Sequence, residues 1–155
     1  MKVQEFDKND KVSTFFIDRW GCDFIVSGEE KLYGKDLPGF AVYGDNKIIG
    51  LLTYHLKNNE CEIVTLDSIE LNSGIGSALL NAMVKKAIDN KYSRLWLMTT
   101  NDNIDAMRFY QKRGFVFSGI NIDAIQKSRD LGQEIPETGH YNIPIRDEIE
   151  LEYQL

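Results

Sequence analysis

Two glycines, Gly74 and Gly76, stand where an alternating, strand-like segment gives way to a segment with apolar residues at helical spacing. The first N–H groups of a helix lack partners inside the helix, and the helix dipole favours negative charge there. Because neither glycine carries a Cβ atom, a phosphate can approach the backbone closely. We therefore expect the backbone from Asn72 to Ser77 to bind a phosphate, with Ser73 as N-cap and Ser77 as an additional hydroxyl.

Two common glycine-rich motifs do not fit this turn. A P-loop requires a lysine directly after its last glycine, and no lysine follows Gly76. A dinucleotide fingerprint requires a third glycine at the position of Leu79, and it belongs to the first strand of a parallel unit. An ordinary glycine-assisted helix start remains an alternative explanation of the turn.

A second helical segment carries a further pattern of polar, aromatic and glycine residues: Asn103, Ala106, Tyr110 and Gly114-Phe115. Together with the glycine turn, it resembles the GNAT superfamily of acyl-CoA-dependent N-acyltransferases. The turn is similar to the family's pyrophosphate motif, Arg/Gln-x-x-Gly-x-Gly/Ala, and the helix to its Asn-x-x-Ala-x-x-x-Tyr-x-x-x-Gly-Phe motif. The resemblance covers roughly Phe40 to Phe117. It departs from the family at Leu71, where an arginine or glutamine is usual.

The resemblance implies that acetyl-CoA binds as co-substrate in a V-shaped opening between two parallel strands, here Glu60–Ser68 and Arg94–Thr99. Tyr110 is implied as the general acid for the leaving thiolate, and a core aromatic is the alternative role. Asn103 is implied as a cofactor contact, and a helix N-cap is the alternative role. The implied cofactor-binding residues are Leu66, Ser68, Ile69, Asn72, Ser73, Gly74, Ile75, Gly76, Ser77 and Asn103.

An amine that attacks a thioester must lose a proton, so a base near the strand opening is expected. Strict strand alternation puts Glu60, Glu62, Val64 and Leu66 on one face of the strand. Glu62 lies nearer the expected acyl position and is the favoured base, with His55 and Asp67 as weaker candidates and two solvated glutamates as the alternative. Cys61 points away from that face, so we do not expect it to carry the acyl group.

The acceptor is expected to be an amine of a small molecule or a peptide. In the family its site is built from the N-terminal helix region and the last hairpin, here Trp20–Val26 and Tyr141–Glu150. Candidate lining residues are Trp20, Asp23, Arg146, Asp147 and Glu148, for which surface or core packing is the alternative. A non-catalytic acyl-CoA-binding sensor is the alternative function, and Leu71 favours it slightly. A nucleotide-binding domain is a third class, and homodimers are common in the family.

The composition limits the partners of the chain. Its 155 residues, 43% of them hydrophobic, are expected to form a single acetyltransferase-like domain. A net charge of −6 argues against binding nucleic acid or anionic membranes and suits a cationic substrate. No apolar run approaches the ~18 residues of a membrane span, and the polar N-terminus has no signal-peptide core, so a cytoplasmic protein is expected. Cys22, Cys61, His55 and His140 are too scattered to predict a disulfide or a metal site.

The elements that must position these residues follow from the hydrophobic pattern. It predicts a helix over Lys11–Arg19, a three-strand meander over 40–43, 47–57 and 60–68, a helix over 74–89 and a buried strand over 95–98. A helix over 103–113, strands over 115–117 and 149–153, and a less regular segment with a helix over 122–130 complete the chain. The predicted fold is α+β, with a GNAT-like, mostly antiparallel sheet of about six or seven strands, helices on both faces and a central splayed parallel pair.

Overall fold

The computed structural model describes residues 1–155 and contains a seven-stranded mixed sheet with four α-helices. In chain order the elements are β1 (Gln4–Phe6), α1 (Lys11–Trp20), β2 (Phe24–Ser27), β3 (Glu30–Tyr33), β4 (Gly39–Gly44), β5 (Lys47–Lys57), β6 (Glu60–Ser68), α2 (Ile75–Asp89), β7 (Arg94–Thr100), α3 (Ile104–Gln111), β8 (Phe115–Asn121), α4 (Ala124–Asp130) and β9 (Glu148–Tyr153). Short 3₁₀-helices span Gly34–Asp36 and His140–Asn142.

The strand order of the sheet is β1-β4-β5-β6-β7-β9-β8, and only the β6–β7 pair is parallel. Strands β2 and β3 form a separate antiparallel hairpin. The predicted fold class is therefore confirmed, down to the single parallel pair at the centre. No helix is both long and apolar enough to cross a membrane.

The meander from β4 to β6 is closed by two tight turns that the sequence specifies locally. Asp45 and Asn46 have φ angles of 50° and 62°, and Asn58 and Asn59 have φ angles of 54° and 63°. Asparagine and aspartate tolerate this left-handed conformation, which two-residue hairpin turns require. The turns fix the register of β5 and β6, and β6 carries the glutamates of interest.

The parallel strands β6 and β7 separate part-way along their length. Pairing begins with Glu60 opposite Arg94 and ends with Ile63 opposite Leu97, although both strands continue. Strand β6 remains paired with β5 as far as Ser68, and β7 remains paired with β9 to its end. The sheet therefore has an opening at its centre, between the second half of β6 and the last residues of β7.

A β-bulge in β6 accounts for this opening. Thr53 and Tyr54 are adjacent in β5, but their partners in β6 are Thr65 and Ile63, so Val64 is an extra residue in β6. A bulge bends the strand that carries it and interrupts the local ladder. The ladder with β7 ends at the residue directly before the bulge, so the bulge directs β6 away from its parallel neighbour.

The bulge also changes which side chains share a face, and it corrects one expectation. Ile63 and Leu66 pack on the same side of the sheet, whereas Val64 packs in the core on the other side. Leu66 therefore lies on the face opposite Glu62, and the expectation from strict alternation that the two share a face is wrong. The inserted residue reverses the alternation after position 64.

Each face of the sheet carries its own hydrophobic core. Helices α2 and α3 cover one face, where the central residues include Leu52, Ile63, Leu79, Met83 and Leu97. Helix α1 and the Gly34–Asp36 turn cover part of the other face, which is more open toward β7, β9 and α4. This second face leaves room for the cleft that contains Glu62.

The segment after β8 differs from its prediction in detail. Helix α4 begins at Ala124, two residues later than expected, because Asp123 adopts a left-handed φ of 60°. The stretch that follows has little regular structure and is held by Arg129, whose guanidinium donates to the backbone oxygens of Ile135, Pro136 and Ile145. These bonds attach the segment to the rest of the protein beside the second face of the sheet.

Candidate active site

A cleft of about 800 Å³ lies beside the N-terminus of α2, and we call it the glycine cleft. Its walls are the end of β6, the turn that leads into α2, and one side of α3. It is lined by Leu66, Ser68, Glu70, Leu71, Asn72, Ser73, Gly74, Gly76, Ser77, Asp105, Ala106, Arg108, Phe109, Tyr110, Lys112 and Arg113. Because Leu66 and Ser68 lie beyond the last residue that pairs with β7, the cleft extends to the opening in the sheet.

Three backbone nitrogens at the start of α2 have no hydrogen-bond partner inside the protein. The first hydrogen bond of the helix runs from Ala78 N to Gly74 O at 3.0 Å, and the nitrogens of Gly74, Gly76 and Ser77 donate none. Ile75 N is 3.5 Å from the hydroxyl of Ser73, which is a weak contact. Three N–H groups at a helix N-terminus are thus free to bind an anion.

The two glycines of the turn have different reasons to be glycine. Gly74 has a φ of 82°, a left-handed conformation that other residues adopt only with strain. A Cβ atom on Gly76 would lie 3.6 Å from the Phe109 ring, which is an ordinary contact. The fold does not require glycine at position 76, and its absent side chain leaves the backbone open to a ligand in the cleft.

A guanidinium group stands beside this turn, and it was not among the residues predicted from the sequence. Arg113 donates to the Ser77 hydroxyl from Nε at 3.1 Å and from Nη2 at 2.8 Å. Its guanidinium lies 3.7 Å from the centre of the Phe109 ring, and Nη1 donates to Phe109 O at 2.9 Å. Leu71, which is exposed, stands where the family usually has arginine or glutamine. That missing polar side chain is the sequence feature that could have indicated another cation near the turn.

Tyr110 lies in the wall of the glycine cleft and is buried between aromatic rings. Its ring makes edge contacts with Phe109 and Phe115 at centroid distances of 5.3 and 5.4 Å. Burial raises the pKa of Tyr110, and the nearby Asp67 carboxylate raises it further. The phenol therefore remains protonated at neutral pH, as a proton donor to a thiolate must.

Most of the predicted cofactor-binding residues line the glycine cleft, but three do not. Ile75 is buried in the core, and Ile69 donates its backbone N–H to Ile49 O at 2.9 Å, so that nitrogen is already used by the protein. Asn103 accepts a hydrogen bond from Ala106 N at 3.2 Å, which is the N-cap arrangement. Its role toward a cofactor stays a prediction.

A second cleft, of about 850 Å³, lies on the opposite face of the sheet, and we call it the carboxylate cleft. Strands β5, β6, β7 and β9 form its floor, and the β2–β3 hairpin and α4 form its walls. It is lined by Ser27, Gly28, Glu30, His55, Lys57, Asn58, Glu60, Glu62, Trp96, Met98, Asn121, Asp123, Ala124, Lys127, Glu148 and Glu150. Six of these side chains are carboxylates and two are lysines.

Glu62 is the most buried carboxylate of this cleft, with 7% of its surface exposed, whereas Glu60 is exposed at the rim. Burial raises the pKa of Glu62, and the carboxylates of Glu148, Glu30 and Glu150 raise it further. A hydrogen bond from Ser27 opposes these effects. The raised pKa brings this carboxyl closer to the neutral range in which a general base operates.

The other candidates for acid–base or nucleophilic chemistry are less suitably placed. Asp67 forms a two-pronged ion pair with Arg19, at 2.6 and 3.1 Å. His55 is the strand partner of Glu62, and its Nε2 is 4.0 Å from Glu30 and has no hydrogen-bond partner. Cys61 is fully buried in the core, and burial raises the pKa of its thiol to about 12, so the thiolate is absent at neutral pH.

Only part of the expected acceptor region lines the carboxylate cleft. Glu148 does so, but Trp20 packs against Phe15 and Phe16 at centroid distances of 6.0 and 5.0 Å. Arg146 and Asp147 pair with each other at 2.9 Å, and neither they nor Asp23 lines the cleft. The sequence pattern did not reveal that α4 and the β2–β3 hairpin supply its walls.

Comparison with known proteins decides the family. The family model described as the acetyltransferase (GNAT) family matches residues 9–115, from α1 to the start of β8. The chain belongs to this family. The GNAT resemblance seen in the sequence is thereby confirmed.

Relatives of this GNAT chain include two Bacillus subtilis proteins. The uncharacterized protein YdhI is 41% identical over 139 residues, which cover 89% of this chain and 87% of YdhI. A spermine/spermidine N(1)-acetyltransferase is 32% identical over 93 residues, 56% of this chain and 57% of that enzyme.

Solved GNAT structures share the fold over nearly the whole chain. A Bacillus subtilis acetyltransferase in complex with CoA has a TM-score of 0.73 at 18% identity and covers 99% of this chain and 98% of its own. A GNAT acetyltransferase from Elizabethkingia anophelis with acetyl-CoA bound has a TM-score of 0.70 at 22% identity, covering 99% and 97%.

Proposed function

We propose that this chain transfers the acetyl group of acetyl-CoA directly to an amine, with Glu62 as general base and Tyr110 as general acid. The main support for this proposal is the opening between β6 and β7. One cleft lies beside this opening on each face of the sheet. Glu62 belongs to one cleft and Tyr110 to the other. A thioester bound on one face would thus meet an amine bound on the opposite face.

The glycine cleft has the groups that the diphosphate of acetyl-CoA needs. The free nitrogens of Gly74, Gly76 and Ser77 offer hydrogen bonds, and Arg113 offers a positive charge beside them. Beyond Ile63, the edge of β6 that faces β7 has no partner strand, so the pantetheine arm would pair there, near Leu66 and Ser68. The two solved neighbours described above were crystallised with CoA and acetyl-CoA in a similar fold.

The proposed reaction needs no covalent enzyme intermediate. Glu62 takes a proton from the acceptor ammonium, and the freed lone pair attacks the thioester carbonyl carbon. A backbone N–H of β6 near Leu66 stabilises the negative charge that develops on the carbonyl oxygen. The carbon–sulfur bond then breaks, and Tyr110 gives its proton to the departing thiolate. The acylated nitrogen, which became positively charged on attack, loses its second proton to the Tyr110 phenolate, directly or through water, and Glu62 releases its proton to solvent.

The charge of the carboxylate cleft supports a positively charged acceptor. Its six carboxylates outnumber its two lysines, and one of these, Lys127, is paired with Glu29 at 2.8 Å. Trp96 and Met98 form an apolar strip in the floor between the carboxylates of β6 and β9. An amine of a small molecule or peptide suits this environment, and the relative that acts on spermine and spermidine is consistent with it.

Calorimetry and a thiol-release assay test the proposed reaction. Acetyl-CoA should bind in calorimetry without any amine present. CoA release should then depend on an amine drawn from a panel of polyamines, aminoglycosides and peptide N-termini. Binding of acetyl-CoA with no turnover on any amine would favour an acyl-CoA sensor, and tight binding of ATP or NAD in its place would contradict the assignment of the glycine cleft.

A further inference from the structure

The β2–β3 hairpin brings one hydroxyl group into contact with the carboxylate of Glu62. Ser27, the last residue of β2, places its Oγ 2.6 Å from Glu62 Oε1 and 2.8 Å from Oε2. A hydroxyl has one proton, so it donates to either oxygen and leaves the remaining lone pairs free. No other group in the protein donates a hydrogen bond to this carboxylate.

The hairpin is anchored to the protein without this hydrogen bond. Val26 and Leu32 bury their side chains, and the backbone N–H of Val26 donates to Gln133 Oε1 at 2.9 Å. At the hairpin turn, Glu29 forms an ion pair with Lys127 of α4 at 2.8 Å. The hairpin therefore has anchors other than the Ser27–Glu62 bond, chiefly its buried side chains.

We propose that Ser27 is a positioning residue for the acetyl transfer: its hydroxyl orients the Glu62 carboxylate and stabilises the charged form that accepts the proton of the amine. The inference rests on the proposed function, in which Glu62 is the base. A donor to a carboxylate favours the charged form over the neutral one. Ser27 thus counteracts the burial that would otherwise keep Glu62 protonated at neutral pH.

The surroundings of Glu62 make this single donor important. Burial is the main cause that raises the pKa of Glu62, and the bond from Ser27 is the main one that lowers it. Lys127 is engaged by Glu29, and Arg94 of β7 is engaged by Glu150 and Glu152. The titratable or charged groups of the cleft around Glu62 are Glu60 on β6, His55 and Lys57 on β5, Glu148 and Glu150 on β9, Glu30 on β3, and Asp123 and Lys127 beside or on α4.

The test is the pH profile of kcat/KM for Ser27→Ala, with Ser27→Thr as the conservative variant. Loss of the donor disfavours the charged carboxylate, so the acid limb of the profile should move up by about one pH unit, a tenfold change in the acid constant. The kcat/KM of Ser27→Ala should recover as the pH rises. Ser27→Thr keeps a hydroxyl donor, so its acid limb should lie at the wild-type pH. An unmoved limb in Ser27→Ala would overturn the proposal.

Glu29→Gln is the matched control, because it breaks the other contact of the same turn without touching Glu62. Its acid limb should not move to higher pH, because release of Lys127 in the cleft adds a free positive charge, which favours the charged form of Glu62. If Glu29→Gln shifts the limb as far as Ser27→Ala does, the effect comes from loosening the hairpin and the proposal is wrong.

A second measurement separates this proposal from the proposed function. The carboxyl carbon of Glu62, assigned by the loss of its resonance in Glu62→Gln, can be titrated by ¹³C NMR without substrate. Its pKa should be higher in Ser27→Ala than in wild type, and equal values would overturn the role of Ser27. If the pKa moves but Glu62→Gln keeps the acid limb of kcat/KM, Ser27 acts on Glu62 as proposed and the choice of Glu62 as base is what fails.

Discussion

The two clefts are lined by different chemical groups, although they meet at the same opening in the sheet. The glycine cleft presents backbone nitrogens at a helix N-terminus, with three cationic side chains against two carboxylates. The carboxylate cleft presents side chains from five strands of the sheet, a hairpin and a helix, with six carboxylates against two lysines. One cleft suits an anionic co-substrate and the other a cationic acceptor, so opposite charges are kept on opposite faces of the sheet.

This difference explains why one cleft is visible in the sequence and the other is not. The groups of the glycine turn are consecutive in the chain, and they therefore appear as a motif. The carboxylate cleft assembles residues from Ser27 to Glu150, and no local spacing encodes its shape. Substitutions in each cleft test whether the glycine cleft binds acetyl-CoA and the carboxylate cleft activates the amine.

Glu62→Gln should have the largest effect on turnover. Loss of a general base costs on the order of 10²–10⁴-fold in rate, and we expect about 1,000-fold in kcat/KM. The affinity for acetyl-CoA should stay within about twofold, because the glycine cleft is untouched. Glu60→Gln, on the exposed rim of the same cleft, is the matched control and should cost less than about threefold. Equal losses of kcat/KM in the two variants would contradict the assignment of Glu62 as the base. They would indicate that the total negative charge of the cleft matters, whichever carboxylate supplies it.

Tyr110→Phe should lower kcat by about 100-fold, because the departing thiolate loses its proton donor. Acetyl-CoA binding should change little, since the ring keeps its contacts with Phe109 and Phe115. Tyr54→Phe removes a hydroxyl from another buried tyrosine that lines neither cleft, and it should leave kcat unchanged. An unchanged rate in Tyr110→Phe, measured at saturating acetyl-CoA, would remove the general-acid role.

Arg113→Ala should weaken acetyl-CoA binding by about tenfold, because a charge-assisted contact to phosphate is lost. The KM for the amine should not change, since Arg113 lies in the other cleft. Adding Leu71→Arg supplies a guanidinium where the wider family usually has arginine or glutamine, and the double variant should recover most of the affinity. Calorimetry at two salt concentrations measures both effects, and undiminished binding in Arg113→Ala would show that the backbone nitrogens suffice.

Cys61→Ala should have the smallest effect on turnover, within about threefold of wild type. The thiol is fully buried on the helix-covered face of the sheet, and its raised pKa keeps it protonated. The substitution should instead lower the free energy of unfolding by about 1 kcal/mol, because it leaves a small cavity. Loss of all turnover in a folded variant that still binds acetyl-CoA would favour an acyl-enzyme intermediate and contradict direct transfer.

Local signals allowed much of the fold to be predicted from the sequence. The bounds of β5 and β6 follow from the asparagine-containing turns that flank them, and the start of α2 follows from the Gly74–Gly76 turn. The parallel pairing of β6 with β7 required only two strands joined by one crossover helix.

The features that the sequence did not reveal depend on contacts between distant residues. The bulge at Val64 has no compositional signal, yet it opens the sheet and moves Leu66 to the face opposite Glu62. Strand β3 was missed, and so was the contact from Ser27 to Glu62, which are 35 residues apart. Arg113 falls on an unspecified position of the motif that ends at Gly114-Phe115, and its contact with Ser77 appears only when α2 and α3 are packed together.

In the proposed reaction, the turn at Gly74 and Gly76 holds the diphosphate of acetyl-CoA on the face of the sheet opposite Glu62. A titration of ¹⁵N-labelled protein with acetyl-CoA, followed by amide NMR, tests it most directly. The amide resonances of Gly74, Gly76 and Ser77 should shift most strongly and saturate with the calorimetric affinity, while those of Lys57 and Asn58 in the carboxylate cleft should move little. Saturating shifts confined to the carboxylate cleft, with the glycine amides unmoved, would contradict it.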